Sequence, residues 1–432
     1  MKIEAIETWA PHSAAAPLTE RQGDGMAVAS NGTRTCVGGW QVVYSGVEAG
    51  QAYRIRWDLT HRDVAEPRDS LRGKAYWGRM QPDSSRPDGE WHYLLPSEDV
   101  EAMARTLVAP VGVDTLTLRC TFRWSTTGES VWVLPDVEAV DAETAKPVSV
   151  AVVTGRSHDR RRAFDTIQDN IDFYAPLTKD ALEQGAALVV LPEIALQYGL
   201  PDHNLDCAVG IDAPETRPFS DLAKEYGVRV LLGLVERDED AVFNTAALYG
   251  PDGLEGRYHK VHLAVGGESE SGILAGTTFP VFETPIGRIG CNICMDSSSA
   301  ESSRMVGLAG ADFLLLPIMG DHRADRWSRG QPVFNEDRWK AIMRTHALDN
   351  QLVMVVARNT SQGSCVVDRK GDFLAYNEGD VPTIIADVDL GDGYRTWNGG
   401  CFRDVNWMQR RPHLYGAEID ANCYGSLAEV PS

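Results

Sequence analysis

Three residues of unlike chemistry each stand at the end of an apolar run: Glu193 closes "LVVLPE", Lys260 lies in "GRYHKVHL", and Cys294 ends "GRIGCNIC". A charge at such a place is costly unless it is paired or working. A thiol where a strand gives way to a helix meets free backbone N–H groups and the positive end of the helix dipole, which favour thiolate and can hold an oxyanion. Brought together, a carboxylate, an ammonium and a thiol could run nucleophilic chemistry at a carbonyl or nitrile carbon. Taken singly, each also has a plain structural reading, as a core cysteine or an exposed strand-end charge.

The neighbourhood of Cys294 narrows the choice. Alternation along "GRIGCNIC" puts Ile289, Cys291 and Ile293 on one face and Asn292 and Cys294 on the other, so the two thiols cannot meet as a redox pair would. Ser298 with Glu301 fits an S-x-x-E capping box, and Gly310 fits a helix stop, which explains the serine run without catalysis. No G-x-S-x-G occurs there, and "GESES" at 267–271 lacks the closing glycine. His259 and His262 fall on opposite faces of their strand with no third ligand near in spacing, so no metal site is expected.

The elements that must position these residues begin near residue 147. "VSVAVV" is an apolar run, "RRRAFDTIQDNIDFYAPLTKDALEQG" has helical spacing and stops at Gly185, and "AALVVLPE" is a second apolar run. "RVLLGLVE" and "NTAALYGPDGLEGRYHKVHL" follow, with a hairpin turn at "PDG". An internal echo links "QGAALVVLPE" to "AGADFLLLPI", each delivering the end of a buried strand. Residues 1–146 read differently. In "YRIRWDL" Tyr53, Ile55, Trp57 and Leu59 share a face, as do Leu116, Leu118, Cys120, Phe122 and Trp124 in "TLTLRCTFRW", and a short helical pattern lies near "SEDVEAMARTL". This predicts a β-sandwich domain whose tryptophans fill its core.

Length suggests about two domains. The net charge of -21 disfavours nucleic acid and anionic membranes as partners. No apolar run reaches the roughly 18 residues of a membrane span, and the N-terminus lacks the pattern of a signal peptide. Eight scattered cysteines fit reduced thiols better than a disulfide framework. A cytoplasmic location is the expectation.

With these motifs in order, residues from about 148 to 415 resemble the nitrilase, or carbon-nitrogen hydrolase, superfamily. The glutamate after an apolar strand, the lysine of "Y-x-K-x-H-L" and the cysteine of "G-x-x-I-C-x-D" all occur, and Asn244, Asp296, Glu301, Arg304, Arg344, Asn350 and Asn359 match further landmarks. Met295, Ala300 and His259 depart from the family's common residues. The resemblance implies an αββα four-layer sandwich over 147–390, preceded by a galactose-binding-like, jelly-roll all-β domain over 1–146. A C-terminal extension over 391–432 would pack on the core or on a partner subunit of a homo-oligomer.

It also implies the chemistry. Glu193 would act as base, Cys294 as nucleophile, and Lys260 with the backbone N–H of Met295 as oxyanion donors, on a small-molecule amide or carbamoyl amide and less readily a nitrile. No cofactor or metal is required. A second glutamate should steady Lys260; Glu268 and Glu270 both compete, and Glu270 is favoured because Ser271 to Gly276 leave it little room to point elsewhere. Pocket walls are expected from the loops holding Tyr198, His203, His322, Arg323, Arg326 and Trp327. The competing reading is a catalytically silent binding protein of the same fold, working through its N-terminal sandwich.

Overall fold

The computed structural model describes residues 1–85, 89–142, 146–154, 164–265, 267–321, 324, 333–379, 381–391, 396–397 and 399–415. His322, Arg323, Arg326 and Trp327 lie outside the described residues. The chain divides into two units, one over 145–394 and one formed by 1–144 with the tail from 395 onward.

The unit over 145–394 holds two six-stranded sheets. In the first, the apolar strand Val148–Val153 pairs in parallel with Leu188–Val190, which pairs in parallel with Arg229–Asp238. The antiparallel strands Ala241–Gly250 and Gly253–His259 extend that edge around the predicted "PDG" turn. The second sheet repeats the plan, with parallel strands Gly287–Cys291, Phe313–Ile318 and Val353–Arg358. The sequence echo therefore marks a structural one: each echoed run is a strand flanked by parallel neighbours, and each is preceded by a glycine at positive φ, Gly185 or Gly310, that ends a helix.

Burial on both sides accounts for the continuous apolar runs. Val150, Val152, Leu188 and Leu231 of the first sheet share one core with Ile289, Cys291, Phe313 and Val355 of the second. The opposite face of the first sheet packs on helices Ile167–Glu183 and Arg217–Tyr226 through Tyr174 and Phe219. The opposite face of the second packs on helices Ala300–Leu308 and Glu336–Asn350 through Val306, Trp339 and Met343. The third helix starts one residue later than the capping pattern predicts. Cys294–Ser298 forms a 3-10 turn instead, and Ser299 Oγ donates to the Glu301 carboxylate rather than accepting from a backbone N–H of the helix.

The other unit is a thirteen-stranded, mostly antiparallel sheet. Strands far apart along its path share one core, so it folds back over itself: Val42 and Phe122 meet Ile55, Trp57 and Trp132 there. Trp57 and Trp132 pack edge to face, with ring centroids 5.1 Å apart. Trp124 is a correction. Its φ of 63° turns it off the apolar face, 43% exposed, and Arg123 covers its ring. The helical pattern near "SEDVEAMARTL" is a second correction, because Ala102–Val108 is a strand pairing with Ala52–Arg62. Met103 and Leu107, four apart, fit one face of a helix or of a strand, and the partner strand decides. The described tail joins this unit: Gly400 pairs with Trp91, and Asp404 forms an ion pair with Arg105. No helix among the described residues is long and apolar enough to cross a membrane.

Trp57 is fully buried, so Trp57→Ala is expected to cost the N-terminal unit about 3–5 kcal/mol. Urea unfolding followed by tryptophan fluorescence measures the loss; an unchanged midpoint would contradict this account of the core.

Candidate active site

Three strand ends bring the predicted groups together. The lysine strand Gly253–His259 delivers Lys260 just past its last pair, where Lys260 N donates to Asn244 O at 2.9 Å. Glu193 follows the strand Leu188–Val190, and Cys294 opens the 3-10 turn after Gly287–Cys291. The cores on either side hold these ends in place, so the fold itself positions the three side chains.

Lys260 Nζ lies 2.9 Å from Glu193 Oε1 and 2.7 Å from Glu268 Oε2. All three side chains are buried or nearly so. Asn244 Nδ2 bridges the same two carboxylates, at 2.9 Å from Glu193 Oε1 and 2.5 Å from Glu268 Oε1. Glu193 Oε2 accepts from Met319 N at 2.9 Å, and the glutamate's own carbonyl accepts from Asn359 Nδ2 at 2.7 Å. Glu193 is thereby fixed from three directions.

Glu268, not the favoured Glu270, is the second glutamate. Ala264 N donates to Glu268 Oε2 at 2.7 Å, and Glu268 N bonds back to Ala264 O, so the tight turn folds this side chain inward. Glu270 is exposed. A reading by offset along the chain cannot anticipate that turn, which reverses direction within five residues.

The Cys294 thiol lies 3.7 Å from Gly320 O. Burial and the Glu193 carboxylate, partly opposed by Lys260, push its pKa well above the usual thiol range. Burial alone would pull the Lys260 ammonium down, but the charges of Glu193 and Glu268 outweigh it and hold the pKa above the ordinary lysine value. The resting site thus keeps a neutral thiol beside one ammonium and two carboxylates. Cys291 lies in the core between the sheets, where burial lifts its thiol to about 12, in keeping with its packing role.

Backbone strain marks two positions at this cluster, one beside Glu193 and one at the thiol. Ile194 and Cys294 both take φ of 44°, a region β-branched and bulky residues avoid. Asp296 supports the cysteine turn: its fully buried carboxylate accepts from Ile293 N at 2.8 Å, Tyr258 OH at 2.7 Å and His262 N at 2.9 Å, tying the turn to the lysine strand. Asp296 N makes the turn's return bond to Ile293 O, so the Met295 N–H comes before the first donor used within the turn. Gly233 is a residue that the motif reading passed over. A Cβ there would collide with Pro192 O beside Glu193, and an isolated glycine in a strand pattern is the signal that could have found it.

A cavity of about 270 Å³ opens on this cluster. Besides the reacting groups, its described lining includes Ile194, Asn204, Val235, Ile273 and Met319. Tyr198 is half-buried and is not among these lining residues. His203 caps the short helix Asn204–Cys207 instead, accepting from Leu205 N at 3.2 Å. His259 bonds Glu236 and His262 bonds Asp296, each at under 3 Å, so both are engaged with protein carboxylates.

Known proteins are similar to this chain. Residues 149–397 match the family model described as carbon-nitrogen hydrolase. Omega-amidase NIT2 from Xenopus tropicalis is 31% identical over 245 residues, 51% of this chain and 83% of that protein. Omega-amidase NIT2-B from Xenopus laevis is 31% identical over 279 residues, covering 59% and 94%. Among solved structures, an amidase from Nesterenkonia sp. superposes with a TM-score of 0.50 at 19% identity, over 63% of this chain and 97% of that one, which bears on fold alone.

Two outcomes follow from the geometry. In any amide assay the chain supports, Glu268→Gln is expected to lower kcat about a hundredfold, whereas Glu270→Gln stays near wild type; the reverse order would reject the assignment. Because Cys294 is held as a neutral thiol, its alkylation by iodoacetamide should keep rising above pH 9, and Glu193→Gln, by removing a nearby negative charge, should shift that profile to lower pH. Peptide mass spectrometry reads both.

Proposed function

The chain belongs to the carbon-nitrogen hydrolase family, and from that premise we propose that it hydrolyses a small-molecule, non-peptide amide through a thioester on Cys294. The observation that carries this reading is the buried contact of one ammonium with two carboxylates, Glu193 and Glu268, beside a thiol at a strained turn.

Glu193 takes the thiol proton as the sulfur attacks the amide carbon. The tetrahedral oxyanion lies between the Lys260 ammonium and the Met295 N–H, both present before the reaction begins. Collapse expels the amine or ammonia, to which protonated Glu193 returns its proton. Water then enters, Glu193 removes its proton, and attack on the thioester regenerates the thiol. Glu268 keeps Lys260 charged and in register. Each step uses protein groups and water, with no cofactor.

The amide assignment draws on the two omega-amidase relatives, while the substrate's remainder is left to the cavity wall. The unit over 145–394 is read as an αββα four-layer sandwich, supported by its three cores, and the N-terminal sheet as a jelly-roll-like accessory domain. A homo-oligomer working in the cytoplasm completes the proposal. A catalytically silent protein would have no reason to retain a complete, buried set of charged groups that stability alone disfavours.

Cys294→Ala is expected to abolish ammonia release across a panel of amides, carbamoyl amino acids and nitriles that the wild-type chain turns over, with circular dichroism unchanged. Retained turnover by a folded Cys294→Ala chain would overturn the reading.

A further inference from the structure

A second concentration of charge lies wholly within the N-terminal unit, on the sheet face turned away from its tryptophan core. Lys74 sits directly opposite Arg119 on one neighbouring strand and Tyr93 on the other. Arg72 and Arg123 stand on the same face, and the Lys74 ammonium rests 4.6 Å from the Trp91 ring and 5.0 Å from the Tyr93 ring. Like charges directly across a strand pair destabilise a sheet. Here four cations are clustered in a chain whose acidic residues outnumber its basic ones by 62 to 41, so acids to neutralise them are not scarce.

The available partners leave the cluster short of negative charge. Asp69 serves Arg72 at 3.2 Å and Arg411 at 3.9 Å. Arg119 donates to Gln41 Oε1 and to the carbonyls of Ser84 and Gln81, with the Glu7 and Asp83 charges acting on it. Arg123 donates to the Asp69 carbonyl and lies over the Trp124 ring. Among the described residues Lys74 contacts aromatic rings and no carboxylate, and Arg72 Nε is buried without an acceptor. Burial, with Arg123, Arg72 and Arg119 nearby, brings the Lys74 pKa down to about 8. The tail forms one wall, where Met408 O accepts from Arg72 Nη2 and Val405 packs with Tyr76, Trp91 and Tyr93.

We propose that this face is a binding site for a small, multiply charged anion such as a phosphate, held by Lys74, Arg72 and Arg123 beside the Trp91 and Tyr93 rings. Such an anion would supply the missing acceptors and relieve the repulsion between Lys74 and Arg119 at once. The rings exclude water from one side, which strengthens the ion contact, and they suit an apolar group attached to the anion.

The test uses the full chain and inorganic phosphate, titrated calorimetrically at constant ionic strength held with chloride. Saturable binding is expected, weakened about tenfold or more by Lys74→Met and largely kept by Lys74→Arg. Amine acylation at pH 8 gives a reading that needs no substitution, since phosphate should slow labelling of Lys74 in the wild-type chain while leaving exposed lysines unaffected. Heat that merely follows ionic strength, binding undiminished in a folded Lys74→Met chain, or Lys74 labelling indifferent to phosphate would each overturn the proposal. Amide turnover, which depends on none of these residues, is expected to be unchanged in Lys74→Met.

Discussion

One buried ammonium shared by two carboxylates governs the catalytic unit. Lys260 with Glu193 and Glu268 leaves one negative charge in excess, in a place where water screens little. Burial, with the Glu193 charge, keeps the neighbouring thiol protonated, and the two carboxylates keep the lysine charged, so the proposed attack by the sulfur is coupled to proton transfer onto Glu193. Breaking such a cluster by removing one member leaves an uncompensated buried charge, while the intact cluster does little for stability. Its cost is understandable as a cost of function.

The fold's internal echo explains how the cluster is assembled. Two sheets of the same plan face each other across one core, and each sends the end of a central strand toward the cavity, carrying Glu193 from the first sheet and Met319 from the second. Met319 N then binds Glu193 Oε2, so the two halves of the echo meet at the base. Asn244 and Asp296 do comparable work one layer out. The former joins both glutamates, and the latter ties the cysteine turn to the lysine strand.

Much of this was legible from residue types. Apolar runs buried on both faces identified the strands, and the two charges and the thiol that end such runs singled out Glu193, Lys260 and Cys294. Strand alternation predicts the separation of Cys291 from Cys294; the strand ends at Cys291, and it is the following 3-10 turn that carries Cys294 to the cavity while Cys291 stays in the core. What escaped depended on partners distant in sequence. Glu268 was chosen over Glu270 by a turn closed through Ala264, Ala102–Val108 became a strand because Ala52–Arg62 lay ready to pair with it, and Trp124 left its core because the backbone reverses there. Gly233 had a local signal, a lone glycine in an apolar strand, whose meaning appears only with the Pro192 carbonyl in view.

The central claim is that the sulfur of Cys294 carries the acyl group between the two halves of the reaction. Acid quenching within the first turnover, followed by peptide mass spectrometry, tests it directly for any amide the chain consumes. The account predicts an acyl adduct of the substrate's mass on the peptide bearing Cys294, formed no later than ammonia is released. Turnover that proceeds with that thiol unmodified at every quench time, or with the acyl group on another residue, would contradict it.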